Sequence, residues 1–68
     1  MKDLAIKTIN LYRNEILELK EYQGSLQDTL ISYRNVEKIT SYIDELIQFI
    51  NEDIEDIIET YDLLEGEY

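Results

Sequence analysis

The side chains able to do chemistry in this chain are carboxylates, amines and phenols. Its 68 residues include 16 Asp and Glu, 6 Lys and Arg and 6 Tyr, with no His and no Cys. A nucleophile activated for acyl transfer needs a neighbouring base, and both the usual base and the thiol are missing. Lysine could serve instead, yet Lys2, Lys7, Lys20 and Lys38 fall at positions that a helical pattern turns to solvent. Paired carboxylates act as acid and base only in a cleft that sets their separation, and a domain this small has little material to shape one. No glycine-rich stretch is present to cradle a phosphate. The expectation is a protein that is not an enzyme and carries no cofactor.

Metal binding gains no better support. Asn51, Asp53 and Glu55 alternate like the ligands of a calcium loop, but such a loop is non-helical and needs glycine at its sixth position. Ile54, Ile57 and Ile58 keep a helical period running through the segment, and residues two apart on a helix face different sides. Lacking His and Cys, the chain also lacks the ligands of most zinc sites. No metal is expected.

The carboxylates are informative by their distribution. Residues 1–38 hold six acids and all six bases, so that half is neutral. Residues 39–68 hold ten acids and no base, so the whole net charge of −10 lies there. A surface of that kind repels phosphates and anionic lipid and attracts basic protein. Direct nucleic-acid or membrane binding is therefore not expected. If the segment is helical with Ile47, Ile54 and Tyr61 inward, Glu45, Glu52 and Glu59 line up opposite the core, with Glu55, Asp56 and Asp62 beside them. Successive members of Glu52, Glu55, Glu59 and Asp62 then rise by about 4.5–6 Å, near the phosphate spacing of a nucleic-acid strand. Tyr42, Phe49 and Leu63 share the border between core stripe and acidic stripe. The candidate partner-binding set is thus Glu45, Glu52, Glu55, Asp56, Glu59 and Asp62 with Tyr42 and Phe49. Its bland counterpart is a solvated face that only keeps the protein soluble, with rings that complete a core.

The elements that must position these residues are helices. From Tyr33 the positions Val36, Thr40, Ile43, Ile47, Ile50, Ile54, Ile57, Tyr61, Leu64 and Tyr68 recur at alternating intervals of three and four, and only Thr40 is neither apolar nor aromatic. Ala5, Ile9, Tyr12, Ile16 and Leu19 form a matching stripe upstream, with Leu4, Leu11 and Leu17 off it. Gly24 followed by Ser25 and Asp28 reads as a helix stop and a new N-cap. The favoured arrangement is three helices, about 3–22, 26–33 and 36–64. The alternative keeps Gly24 inside one long helix, at a cost of about 1 kcal/mol, and turns the chain at Asn35 as a hairpin. Either way the fold class is all-α: one domain over 1–68, a small bundle or hairpin with a long C-terminal amphipathic helix at about 36–64. A core this small supplies only about 3–5 kcal/mol, and without disulfides a homodimer is the expected supplement. No apolar run approaches the ~20 residues of a membrane span, and Met1-Lys2-Asp3 does not open a signal peptide. The expected location is cytoplasmic, the host cytoplasm for a phage-encoded chain.

Thr40-Ser41-Tyr42-Ile43-Asp44-Glu45-Leu46-Ile47 is similar to the Ser-Gln-Glu-Leu-Asp-x-Leu-Ile signature of small Spo0E-like helical-hairpin regulators. Asp44, Leu46 and Ile47 are identical, whereas Ser41-Tyr42 replaces the Gln-Glu pair, and the family's action on a phosphorylated response regulator is not carried over. The functional expectation is an acidic interaction protein: an inhibitor or regulator that sets its acidic helix on a basic, nucleic-acid-binding type of surface, as phage anti-defence or antitoxin-like proteins do. A helical assembly module whose acidity only confers solubility is the alternative. An immunity-type protein that neutralises a basic toxin is the third.

Overall fold

Two helices account for the structure. The computed structural model describes residues 2–66 and Tyr68, so Met1 and Glu67 lie outside the described residues. α1 spans Lys2–Thr29 and α2 spans Val36–Thr60, 28 and 25 residues long. Residues 30–35 reverse the chain, and the helices lie side by side as a hairpin 46 Å long and 16 Å across. Tyr33 N–H bonds to the carbonyl of Leu30 at 2.9 Å, and Val36 N–H to that of Tyr33 at 3.3 Å, tightening the reversal. Asn35 occupies the N-cap of α2, but its side chain makes no capping bond. Glu37 in the first turn favours the helix dipole instead.

The expected break at Gly24 does not occur, and the short helix at 26–33 is absent. α1 runs through Gly24 because its stripe does not end at Leu19: Gln23, Leu26 and Leu30 continue the four-three spacing and are half-buried. A helical glycine costs about 1 kcal/mol relative to alanine, and continuing the packed face outweighs that. A Cβ built on Gly24 meets nothing within 4 Å. Gly24→Ala is therefore expected to stabilise the hairpin by about 0.5–1 kcal/mol, read as a higher urea midpoint with an unchanged slope. A lower midpoint would mean that the glycine is needed where it stands.

The core is a single line of isoleucines. Ala5, Ile9 and Ile16 of α1 and Ile43, Ile47 and Ile54 of α2 are buried together with Leu63, and Ile9 is fully enclosed at 0% exposure. Tyr12, Leu19, Ile50, Ile57 and Tyr61 are half-buried along its edges. Within the expected stripe Tyr33 and Leu64 are exposed, whereas Tyr68 at its end is half-buried against the core.

α2 also stops at Thr60 rather than near residue 64. Asp62 takes a left-handed conformation with φ 50°. Its N–H bonds to the carbonyl of Glu59 at 3.2 Å, and the N–H of Leu63 reaches that of Ile58 at 3.0 Å. This pair of bonds is the Schellman ending, with aspartate in the position glycine usually takes. Counting 1.5 Å per residue along both helices from the Gln23 contact with Thr40 and Asp44, α2 draws level with the start of α1 at about residues 61–65. By turning, the chain buries Leu63 under the end of the core. The tail then crosses α1, where the Arg13 guanidinium donates to the Tyr68 carbonyl oxygen at 2.7 Å and lies 5.0 Å from the centre of the Tyr68 ring.

Candidate interaction surface

The rotation of α2, which decides what it shows to solvent, is set by the row Val36, Thr40, Ile43, Ile47 and Ile54 that it buries. Thr40 is the only buried polar residue, among the described residues, and it faces Gln23. The Gln23 amide donates to the Thr40 carbonyl and to Asp44 Oδ1, both at 2.8 Å. The Thr40 hydroxyl turns back to the carbonyl of Glu37 at 2.9 Å. Gln23 is half-buried, and its side-chain partner across the hairpin is the exposed Asp44.

With that rotation set, Glu45, Glu52, Glu55, Asp56 and Glu59 are all exposed on α2. Glu45, Glu52 and Glu59 are seven residues apart, so they drift by only about 20° per step and rise by about 10.5 Å. They run along the side opposite Ile47 and Ile54, with Glu55 and Asp56 on either side of that line. Asp62 does not join them. It lies beyond the helix in the left-handed turn, so the ladder from Glu52 through Glu55 and Glu59 ends one carboxylate earlier than its spacing suggested. No base occupies the last turn of α2, although the negative end of the helix dipole favours one.

Beside the acids runs an apolar strip. Tyr42 and Phe49 are 57% and 59% exposed, so they are not core residues. Ile39 at 42% and Leu46 at 48% fall between and beside them, giving a three-four-three run over Ile39, Tyr42, Leu46 and Phe49. Ile39 and Leu46 were not among the residues singled out from the sequence. The signal for them is a second heptad offset by one residue from the core stripe, and the longer stripe masks it. Leu63, assigned to this border from its spacing, is buried in the core because the helix ends before it. At the hairpin mouth the strip runs into a cleft of about 550 Å³ that Ile39 shares with Leu26, Leu30 and Tyr33. Tyr22, one turn before Leu26, lies on the same side of the hairpin and is exposed.

Among the described residues, no group of three or more acids, histidines or cysteines is placed to hold a metal ion. No helix is long and apolar enough to cross a membrane. Compared with protein-family models, curated proteins and solved structures, the chain shows no significant match to any of them. The eight-residue similarity at Thr40–Ile47 is therefore not joined by a family match.

Proposed function

We propose that the protein is a small, self-associating interaction module that acts as an inhibitor or regulator by setting the outer face of α2 on a basic surface of another protein. The observation that carries this is the placement of the acids. Glu45, Glu52, Glu55, Asp56 and Glu59 share an exposed face with no base anywhere from residue 39 onward. Like charges three and four residues apart cost the helix roughly 0.2–0.5 kcal/mol per pair, where mixed pairs would stabilise it. Acids in the last turn of α2 oppose the helix dipole as well. A face needed only for solubility has no need of −10 in one block, since about 2–8 net charges with both signs interspersed suffice for a small domain, without either cost.

The basic surface that fits is one built for phosphates, since the carboxylate steps along α2 approach phosphate spacing. Phage anti-defence and antitoxin-like proteins are the class with this working principle, by analogy of chemistry alone. The second reading, an assembly module, is favoured by the exposed strip from Ile39 to Phe49. Salt separates the two. Affinity for a partner held through the acidic face is expected to fall about tenfold or more between about 0.05 and 0.2 M NaCl. A partner whose affinity ignores salt over that range would overturn the acidic-face assignment.

A further inference from the structure

We propose that the strip Ile39–Tyr42–Leu46–Phe49, with Tyr22 beside it, is the surface on which a second copy of this chain packs, α2 lying antiparallel to α2 across a two-fold axis. This rests on the self-association proposed above and adds the face and the geometry.

Three features of the molecule point to a second copy as the occupant. The first is spacing. A three-four-three run reads the same in both directions, so an antiparallel copy sets Ile39 against the partner's Phe49 and Tyr42 against the partner's Leu46. A two-fold interface requires that kind of self-complementarity. Tyr22, level with Asp44 by the Gln23 contact, then lies close to the axis and meets its own equivalent.

The second is charge. Although the whole chain carries −10, the strip is polarised. Arg34, in the cleft that Ile39 lines, stands at its hairpin end, and Asp53 and Asp56, seven residues beyond Leu46 and Phe49, stand at the other. Reversing one copy brings each basic end against the partner's acidic end. Meanwhile Glu45, Glu52 and Glu59 point away from the contact and stay open. A dimer built this way therefore leaves the line Glu45–Glu52–Glu59 open on each copy, with Asp56 at the edge of the seam.

The third is area. Five large side chains, each about half exposed, offer on the order of 500 Å² per copy, taking about 200 Å² for a full side chain. With the helix surface between them this nears the roughly 800 Å² per partner of a stable interface. It is also about a tenth of the 5495 Å² that one copy exposes. A two-helix core alone is marginal at this chain length, and two hairpins joined on these faces make a four-helix bundle.

Sedimentation velocity on the whole chain at tens of micromolar tests the assignment, with circular dichroism alongside to follow helix content. The wild type is expected to run as a dimer. Leu46→Lys is expected to raise the dimer dissociation constant about 30-fold or more, whereas Leu17→Lys, on the far side of α1, leaves it unchanged. Arg34→Glu is expected to weaken the dimer about 2–5-fold. Adding Asp53→Arg to Arg34→Glu should restore it, a rescue that a variant merely failing to fold does not show. A wild type that stays a folded monomer overturns self-association itself. A dimer indifferent to Leu46→Lys, or a pair of charge changes without rescue, overturns this face and leaves self-association standing.

Discussion

Ile9→Ala is expected to remove about 3 kcal/mol of stability, enough to leave the hairpin partly unfolded at room temperature. Among the described residues Ile9 is the one fully enclosed large side chain, at 0% exposure. Truncating a buried isoleucine to alanine costs about 2–5 kcal/mol, the transfer energy plus the cavity left behind. A core of this size supplies only about 3–5 kcal/mol in total. At about 4–8 °C per kcal/mol for a domain this small, the melting temperature should drop by more than about 10 °C, followed by helical ellipticity. Leu11→Ala is the control. Leu11 is a leucine of the same helix with 66% of its surface exposed, and its loss should cost less than about 1 kcal/mol. A drop of only a few degrees for Ile9→Ala would show that the two helices are not held by this line of isoleucines.

The second large effect has opposite signs on stability and on binding. Replacing Glu45, Glu52 and Glu59 together with Gln removes three charges from the outer face without touching a buried atom, since all three side chains are exposed. Relief of like-charge repulsion along the helix, and of the dipole clash at its last turn, should raise the melting temperature by a few degrees, on the order of 0.5–1 kcal/mol. Affinity for a basic partner should fall by about 100-fold, because each charge contact at such an interface contributes about 1 kcal/mol or more. Sodium chloride should mimic both effects on the wild-type chain by screening the same charges. Stabilisation with undiminished binding would remove the acidic face from the partner site. Destabilisation would show that these glutamates hold the fold instead.

Much of the fold could be read directly from the residues, and so could the outer acidic face. The four-three spacing from Ala5 to Leu19 and from Val36 to Ile57 defines two inward stripes, and the structure buries or half-buries every member of both. The positions of Glu45, Glu52 and Glu59 follow from those stripes, because a helix that buries Ile47 and Ile54 has only one far side. The strip at Ile39 and Leu46 is written at the same spacing but one residue out of step. Spacing alone does not say which of two adjacent stripes finds a partner helix.

The sequence by itself determined that the chain is helical, where each helix faces inward, and that residues from 39 onward carry all of the net charge. Tertiary structure decided where the helices end. Gly24, Ser25 and Asp28 are a helix stop in local terms, worth about 1 kcal/mol, and the continuous burial of Leu26 and Leu30 with the Gln23–Thr40 contact overrides it. At the other end the periodicity runs on through Leu64, yet α2 ends at Thr60 and Leu64 is exposed. Asp62 turns left-handed, and Leu63 takes the buried place. Local signals at a helix terminus amount to about a kilocalorie, whereas a packed side chain contributes about 1.5–3 kcal/mol. The carboxylates inherit that decision: Glu45, Glu52, Glu55, Asp56 and Glu59 stand on the helix, and Asp62 does not.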